Sequence, residues 1–294
     1  MDTPSHKPRP LQVPPDLERQ VAAALEEDIR TGDVTAALVP EGELARGEAV
    51  TREDATLCGT PWVEEIFRRL DPRIRLAFHA RDGDAIHARQ AVFHIEGPAR
   101  AVLTGERAAL NFLQLLSGTA TAARRCVDAV AGTGATILDT RKTLPGLRTA
   151  QKYAVRCGGA HNHRMGLHDM ILIKENHIAA AGSLTAAIGA ARRIGGSLPV
   201  EVEVESAEEL EEALAARPDI IMLDDFTLAA LRAAVVRVRE SGVPVKLEAS
   251  GSVTLQTVRA IAETGVDLIS VGGLTKHVQA VDLSLRLSFR PQGA

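Results

Sequence analysis

The sequence predicts an α/β protein in which a mixed region of helices and strands precedes a parallel sheet covered by helices. Between residues 45 and 105, short and partly alternating apolar runs are interrupted by Gly, Asp and Pro, which is typical of strands in a small sheet. From residue 134 onward, β-rich apolar runs alternate with amphipathic helical stretches. Buried strands joined by crossover helices form parallel sheets with helices outside. Six such repeats are visible, short of the eight in a complete (β/α) barrel.

The first half of the chain contains two predicted helices and one predicted hairpin. The apolar spacing of residues 17–28 predicts a helix that ends at the polar turn "RTGD", and a second helix is expected near residues 61–70. The stretch "HIEGPARAVLTG" predicts a hairpin around Gly97-Pro98. Residues 1–16 hold five prolines and are predicted to be a disordered tail.

A long apolar segment follows, "ERAALNFLQLLSGTATAARRCVDAVAG" at residues 106–132. Its first half is apolar on nearly every side, and such a helix has to be buried in a core or against another domain or subunit. Gly118 is expected to break this segment into two helices.

Composition and charge exclude several classes of protein. The net charge of −4, from 34 basic and 38 acidic residues, gives no global nucleic-acid footprint. No apolar run approaches the roughly eighteen residues of a membrane-spanning helix, and the N-terminus lacks the apolar region of a secretory signal. The three cysteines are widely spaced and include no C-x-x-C pair. That spacing favours reduced thiols in the cytoplasm over a disulfide framework or a zinc site.

Polar residues end each of the six predicted strands of the second half. The runs read "ATILDT", "MILIKEN", "VEVEVES", "IIMLDD", "VKLEAS" and "LISVGG". In barrel enzymes the active site is built at the carboxyl ends of several strands at once. A single polar strand end, such as Asp224 or Ser250, is usually a helix N-cap. Six polar ends in register favour an active site at this edge instead.

A basic patch lies within this acidic protein. Residues 141–177 hold seven Lys and Arg against two acids, and four of the nine histidines fall between residues 158 and 177. A compact positive patch in an acidic chain indicates a local anionic ligand and not a polyanion wrapped over the surface.

The His161-x-His163 pair raises the alternative of a metal-dependent hydrolase, since some barrel hydrolases hold zinc through such pairs. Those sites need further His and Asp ligands, whereas the later strand ends offer only the carboxylates Glu203, Asp224 and Glu248. A neighbouring arginine, Arg164, would also repel a cation. The remaining histidines of the patch, His168 and His177, are expected to orient loops.

An anion site explains more of the same residues. Lys142 and Lys174 follow two predicted strands, with Arg141 and Arg164 close by in the sequence. The planar guanidinium of Arg can make paired hydrogen bonds to carboxylates and phosphates, and the ammonium group of Lys acts as a point charge for phosphates. The small-residue turns "EASGS" and "SVGG" expose backbone N–H groups that can cradle a phosphate, at Ser250, Gly251, Ser252, Gly272 and Gly273.

The acids complete the site. Glu203 and Asp224 are expected to face the same mouth, where they can bind Mg²⁺ on a pyrophosphate, directly or through water, or accept ribose hydroxyls. They can also stabilise a developing cation. These residues would suit a donor substrate that carries a phosphate, hydroxyls and a pyrophosphate bound to Mg²⁺, together with an acceptor that carries carboxylates. The reaction that uses such a pair is phosphoribosyl transfer to an acidic acceptor.

The sequence resembles the quinolinate phosphoribosyltransferase family over nearly all of the chain after the tail. The resemblance is carried by "EEDIRTGDVT", "ERAALNFLQLLSGTAT", "DTRKTLPGLR", "KYAVRCGGAHNHRMGLHDMILIKENH", "EVEVES", "LDDF", "EASGS" and "ISVGGLT". It implies an N-terminal α/β sandwich at 17–116, an incomplete, distorted (β/α) barrel at 117–280, and a C-terminal segment at 281–294 that packs back on the first domain. It also implies a homodimer, or a higher oligomer, with shared active sites.

The activity implied by the resemblance is transfer from phosphoribosyl pyrophosphate to quinolinate with decarboxylation, in de novo NAD biosynthesis. The products would be nicotinate mononucleotide, pyrophosphate and CO₂, and Mg²⁺ would be the cofactor. No nucleic acid or membrane partner is implied. Two alternatives stay open: a paralogue of the same fold associated with molybdenum transport, and a non-catalytic sugar-phosphate-binding protein.

Site residues carry over from the resemblance position by position. Arg141, His163 and Arg164 resemble quinolinate-binding groups, and Arg107 resembles an arginine donated by the other subunit. Glu203 and Asp224 match the acids near ribose and magnesium, Lys142 and Lys174 match lysines at the junction of pyrophosphate and acceptor, and the 5′-phosphate loops correspond to Ser250, Gly251, Gly272 and Gly273.

Three positions depart from the family pattern. Asp225 stands where Asn is frequent, Ser252 where a second Gly is common, and Lys276 where His is frequent. The departure at Ser252 predicts a looser approach of the backbone to the phosphate. None of the three removes a residue assigned to the chemistry.

Overall fold

The computed structural model describes residues 11–290 of the chain, which form two compact units. The first unit contains residues 11–121, 149–157 and 279–290, and the second contains 122–148 and 158–278. Most of the predicted tail lies outside the described residues. The predicted domain boundaries stay predictions.

The first unit is built on a small antiparallel sheet. Four strands have the order β12-β1-β5-β3, and β2 pairs with β4 in a separate two-stranded sheet. The predicted helices near residues 17–28 and 61–70 are both confirmed. In chain order the elements are α1 (Leu17–Ile29), a 3-10 turn (Ala36–Leu38), β1 (Leu44–Thr51), β2 (Ala55–Thr56), α2 (Thr60–Leu70), β3 (Arg75–Phe78), β4 (Ala85–Ile86), β5 (Ala91–Pro98), α3 (Ala99–Ala129) and, at the end of the described chain, β12 (Leu283–Arg290).

The hairpin expected around Gly97-Pro98 is wrong. Strand β5 runs through Pro98, and α3 begins at the next residue. A Cβ on Gly97 would lie 2.9 Å from the Cα of Ile74. The glycine therefore allows the chain near Ile74 to approach closely, and no turn requires it.

The break expected at Gly118 is also wrong, because α3 is one continuous helix from Ala99 to Ala129. A Cβ on Gly118 would overlap the carbonyl oxygen of Gln279. Glycine is needed there for a close approach of backbone to helix, at a cost in helix propensity of roughly 1 kcal/mol relative to alanine. The predicted burial of the apolar half is confirmed, with Leu110, Leu113 and Leu116 nearly inaccessible.

The second unit is a six-stranded parallel sheet with the order β6-β11-β10-β9-β8-β7. All six strands predicted from the apolar runs are present. The elements are β6 (Thr136–Leu138), α4 (Arg148–Cys157, most of which belongs to the first unit), β7 (Ile171–Ile173), α5 (Glu175–Ala181), α6 (Leu184–Gly195), β8 (Val200–Val204), α7 (Ala207–Ala216), β9 (Ile220–Asp224), α8 (Leu228–Ser241), β10 (Lys246–Ser250), α9 (Val258–Ala262), β11 (Leu268–Ser270) and α10 (Gly273–Lys276).

The sheet is an incomplete barrel, because β6 and β7 stand at its two ends. Between them in the chain, His161 makes a single parallel bridge to Leu138 of β6, and its N–H donates to the Ile137 carbonyl at 2.9 Å. The histidine-rich segment is therefore attached directly to the edge of the sheet.

The helix N-caps of this unit lie beyond the strand ends. Ser206 caps α7 by accepting from the Glu209 N–H, and Thr227 caps α8 by accepting from the Ala230 N–H. Neither Glu203 nor Asp224 is used as a cap, so neither carboxylate is occupied by a helix N-terminus. Among the described residues, no helix combines the length and apolar character needed to cross a membrane.

Candidate active site

Two carboxylates and a serine lie at the carboxyl ends of three neighbouring strands. Glu203 lies near the end of β8, Asp224 ends β9, and Ser250 ends β10 directly beside Asp224. Parallel strands bring their carboxyl ends to one edge of a sheet, so the pattern read from the sequence produces one cluster.

Lys174 and Glu203 form an ion pair at this edge, between the Lys174 Nζ and the Oε2 of Glu203, whose side chain is almost inaccessible to solvent. Burial raises the pKa of the Glu203 carboxyl, the lysine lowers it, and the negative charges of Asp224 and Glu175 raise it again. The carboxylates therefore repel one another across the site, and a cation placed between them would relieve that repulsion.

The side chain of Lys142 lies against the loop that follows β11. Its backbone N–H donates to Thr140 Oγ1 at 3.1 Å, and its carbonyl accepts from Thr275 Oγ1 at 2.8 Å. A Cβ on Gly272 would come within 3.0 Å of the Lys142 Cδ. The structure thus brings this lysine together with the glycine turn that the sequence assigned to phosphate binding.

The loops after β9 and β10 both adopt an uncommon backbone. Asp225, Gly251 and Ser252 have φ values of 53°, 98° and 45°. The Asp225 N–H donates to the Ser250 carbonyl at 3.1 Å, and a Cβ on Gly251 would lie 2.7 Å from the Asp225 Cγ. Only glycine fits at 251, because any side chain there would collide with Asp225.

Two guanidinium groups face the same region. Burial lowers the pKa of Arg164, and the positive charge of Arg141 lowers it further, whereas Glu201 and Asp169 act in the opposite direction. The Arg141 Nε is buried and makes no hydrogen bond to any residue between 11 and 290. A buried donor and two neighbouring like charges both favour an anionic ligand with oxygen acceptors.

Side-chain acceptors hold the backbone of the histidine-rich segment in place. Asp139, fully buried at the end of β6, accepts from the His163 N–H at 2.9 Å and from Asn162 Nδ2 at 2.6 Å. Asp169 accepts from the N–H groups of Met165 and Gly166 at 2.7 and 3.0 Å. These bonds determine where Arg164, between them, presents its side chain.

The His163 ring points into the interior of the sheet. Its Nδ1 accepts from the Arg164 N–H at 2.7 Å. Its Nε2 lies 2.9 Å from Glu201 Oε2 and 3.6 Å from Glu248 Oε2, and both carboxylates are fully buried. The sequence assigned His163 to the acceptor, whereas the structure surrounds it with two acids.

The sequence did not indicate that Asp139 holds the backbone at His163 or that Glu201 lies beside the His163 ring, and it suggested Glu248 only as a potential metal ligand. The alternation in "VEVEV" was the available signal, since it places Glu201 on the same face of β8 as Glu203. A further expectation concerns His177, whose Nδ1 accepts from the Lys174 N–H at 3.0 Å, so it orients the loop that carries this lysine.

The other predicted residues are more dispersed. Arg107 is exposed on α3 and belongs to the first unit, whereas all the other predicted site residues belong to the second. Gly273 opens α10, and Ser252, Asp225 and Lys276 are exposed near the strand ends. Their roles stay predictions.

The fold and this edge together define an enzyme class: a parallel α/β protein that binds a polyanionic donor and an anionic acceptor, as phosphoribosyltransferases do. Both domains of one family match the chain: "Quinolinate phosphoribosyl transferase, C-terminal domain" at residues 119–286 and "Quinolinate phosphoribosyl transferase, N-terminal domain" at residues 33–117. The chain belongs to the quinolinate phosphoribosyl transferase family.

Individual relatives agree with this assignment. The chain is 42% identical over 260 residues to the "Probable nicotinate-nucleotide pyrophosphorylase [carboxylating]" of Bacillus subtilis, covering 88% of this chain and 89% of that one. It is 43% identical to the "Nicotinate-nucleotide pyrophosphorylase [carboxylating]" of Mycobacterium leprae, covering 91% of this chain and 95% of that one. A solved structure of the nicotinate-nucleotide pyrophosphorylase from Francisella tularensis superposes with a TM-score of 0.91 at 45% identity, over 95% and 98% of the chains.

Proposed function

We propose that this chain transfers the phosphoribosyl group of phosphoribosyl pyrophosphate to quinolinate and releases CO₂, as a step of de novo NAD biosynthesis. The observation that carries the proposal is the pairing of two neighbouring guanidiniums, Arg141 and Arg164, with the carboxylates Glu203 and Asp224 at one sheet edge. The guanidiniums suit an acceptor with carboxylates, and the carboxylates suit a cationic transition state.

The acceptor is held by its two carboxylates. Arg141 offers a buried Nε, and Arg164 is held by backbone bonds on both sides of its position. In a homodimer, Arg107 of the second subunit would add a further guanidinium. Nicotinate has one carboxylate, so part of this positive wall would be left unpaired, which is costly for buried groups.

The donor is held by its phosphates. Lys142 lies beside Gly272, and the loop at Gly251 exposes backbone that can approach a phosphate closely. Glu203 and Asp224 would hold Mg²⁺, because hard oxygen ligands and mutual repulsion both fit a divalent cation. When bound, Mg²⁺ would neutralise charge on the pyrophosphate leaving group.

The chemistry follows from this placement. The pyridine nitrogen attacks C1′, the new N–C1′ bond forms as the C1′–O bond breaks, and the electron pair of that bond leaves with pyrophosphate. Positive charge that develops on the ribose is stabilised by Glu203 and Asp224. The 2-carboxylate is then lost as CO₂, its electron pair stays on C2 next to the quaternised nitrogen, and a proton completes nicotinate mononucleotide.

Two other functions are separated by one assay. A sugar-phosphate-binding protein would release neither pyrophosphate nor CO₂, and a paralogue associated with molybdenum transport would not decarboxylate quinolinate. We expect equal amounts of pyrophosphate and CO₂ from quinolinate and phosphoribosyl pyrophosphate, lost on chelation and restored by Mg²⁺. Absence of CO₂ with active, folded protein would exclude the proposal.

Assembly and location complete the proposal. We expect a homodimer with shared sites, and we expect the protein to act in the cytoplasm, where its three free cysteines, all buried, would remain reduced. Sedimentation of the purified protein tests the first expectation, and cell fractionation tests the second.

A further inference from the structure

Two exposed imidazoles meet on the four-stranded sheet of the first unit. The His79 Nε2 lies 3.1 Å from the His94 Nδ1, and the rings touch edge to face with their centroids 4.5 Å apart. Both side chains are exposed to solvent. Neither residue has a part in the proposed transfer, so the pair needs an explanation of its own.

The backbone of two paired strands holds the imidazoles in place. His79 directly follows β3, and its N–H donates to the Val92 carbonyl of β5 at 2.9 Å. His94 lies within β5, where its register neighbours are Glu48 of β1 and Ala77 of β3, neither of them cationic. Side chains carried by paired strands are positioned more rigidly than side chains on loops. The two rings are therefore brought together by the sheet itself.

The carboxylate of Glu48 determines the tautomer of His94. Its Oε2 lies 3.6 Å from the His94 Nε2, which is beyond hydrogen-bond length, but its negative charge favours a proton on that nitrogen. The Nδ1 of the same ring then carries a free lone pair on the side that faces His79. In the hydrogen bond between the rings, His79 is therefore the donor through its Nε2–H.

The two facing nitrogens have nearly the separation of two ligands on one metal ion. Zn–N bonds of about 2.0–2.1 Å at a tetrahedral angle place two ligand nitrogens roughly 3.3–3.4 Å apart. The observed distance is 3.1 Å. An ion can take the place of the shared proton once that proton moves from the Nε2 of His79 to its Nδ1, which leaves the ring neutral. An exposed ring can make this change by exchange with water.

The donor set defines the class of ion. Neutral imidazole nitrogens suit Zn²⁺, Cu²⁺ and Ni²⁺, whereas Mg²⁺ takes oxygen ligands. A ligating histidine commonly directs its other N–H at a carboxylate, and Glu48 occupies that place beside His94.

We propose that His79 and His94 bind one divalent transition-metal ion, such as Zn²⁺, through Nε2 and Nδ1, with water in the remaining positions. Glu48 positions His94 by attracting its Nε2–H. The ion joins β3, which is an edge strand of the sheet, to its neighbour β5. This site is separate from the Mg²⁺ site of the proposed function and does not depend on that function.

Titration calorimetry of the metal-free full chain with Zn²⁺, in a buffer that contains Mg²⁺, tests the proposal. We expect His79→Gln and His94→Gln each to weaken the binding of the same single Zn²⁺ by at least about tenfold. Comparison with the wild type cancels any zinc held elsewhere. His87→Gln is the matched control, because this exposed imidazole also lies 3.6 Å from a carboxylate, that of Asp54, and its loss should leave the binding unchanged.

Thermal melting provides a second measurement. An ion that binds only the folded protein stabilises it, so Zn²⁺ should raise the melting temperature of the wild type more than that of His79→Gln or His94→Gln. Because both rings are exposed, the variants should melt like the wild type when zinc is absent. That comparison shows whether a loss of binding comes from a loss of fold.

The outcomes are distinct. If His79→Gln or His94→Gln binds Zn²⁺ with wild-type stoichiometry and affinity, the rings form a hydrogen bond only and the proposal is wrong. Displacement of the ion by Mg²⁺ would contradict imidazole ligands. Glu48→Gln should weaken binding by about tenfold, and complete loss would make Glu48 a ligand and overturn the assigned donor set. Neither measurement uses a substrate, so failure of the proposed function would leave both results unaffected.

Discussion

The ammonium group of Lys174 and the carboxylate of Glu203 form an ion pair that joins the carboxyl ends of two neighbouring strands, β7 and β8. The lysine side chain is 43% exposed while the carboxylate is 8% exposed, so the positive partner faces the mouth and the negative one the interior. An anionic substrate that approaches this edge meets the ammonium group first, and its arrival would release Glu203 toward a bound cation or the ribose.

The first prediction concerns the two lysines. We expect Lys142→Ala and Lys174→Ala each to lower kcat/KM by at least about 100-fold, because each removes a positive charge placed where negative charge accumulates on the leaving group. Steady-state kinetics with both substrates measure this. Lys246→Ala is the matched control, since that exposed residue begins β10 at the opposite edge of the sheet. Near wild-type kcat/KM in either variant would show that the site has been misplaced.

Acceptor choice follows from the guanidinium pair. Nicotinate leaves part of the positive wall without an acceptor, and stranded buried donors discriminate strongly. We expect kcat/KM for quinolinate to exceed that for nicotinate by about 10⁴-fold or more. Arg141→Lys should narrow the ratio, since Lys cannot make two parallel bonds to a carboxylate. Comparable turnover of the two acids by the wild type would refute the assignment.

Several features could be predicted from the sequence because their causes are local. The six strands follow from short β-rich runs such as "VEVEV", and the functional edge follows from the polar residue after each run. The two wrong predictions, at Gly97 and Gly118, have causes that are not local in the sequence. Each glycine is needed for contact with a distant residue, Ile74 or Gln279, and nothing in the neighbouring sequence indicates that partner.

The contact between His163 and two buried acids shows the same limit at the site. His163, Glu201 and Glu248 belong to three segments separated by 38 and 47 positions, and they meet only when the chain is folded. Alternation in a strand places a carboxylate on one face but does not tell whether that face meets solvent or another acid. Composition could therefore identify the anion site, while the two buried acids beside His163 are found only in the folded structure.

A stability prediction concerns Glu65 on α2. Hydrogen bonds from Arg68 lower the pKa of this carboxyl to about 2, with Arg69 adding to the effect. Because the folded-state pKa lies below the unfolded value, the stabilisation is complete above about pH 4.5 and is lost as pH falls toward 2. We expect Glu65→Gln to lower the free energy of unfolding by about 1–2 kcal/mol at pH 7. Urea unfolding at several pH values checks this, and an equal deficit at pH 7 and pH 3 would contradict the ionic origin.

In the loop after β10, we expect substitutions at two adjacent residues to change the stability of the protein in opposite directions. Ser252 has a φ of 45°, a conformation that costs a non-glycine residue about 1–2 kcal/mol. We expect Ser252→Gly to raise the free energy of unfolding by up to about 1 kcal/mol, since glycine's extra chain entropy offsets part of the relief. Gly251→Ala should destabilise, because its Cβ would collide with Asp225. Thermal melting of both variants gives the answer, and a Ser252→Gly protein less stable than wild type would show that the serine side chain compensates for the strain.

The last prediction is that each active site is shared between two subunits. Arg107 is exposed on α3 and Glu203 belongs to the second unit, so a two-fold dimer can contain two sites that each combine Glu203 of one chain with Arg107 of the other. Arg107→Ala and Glu203→Ala homodimers should both be nearly inactive. In a mixed dimer one site collects both lesions and the other collects neither. Random remixing makes half of the dimers mixed, with one intact site in two, so about a quarter of wild-type activity should return. Refolding the two variants together, with wild type refolded alongside, measures this recovery. If the wild type recovers while the mixture remains as inactive as its parents, Arg107 acts within its own chain.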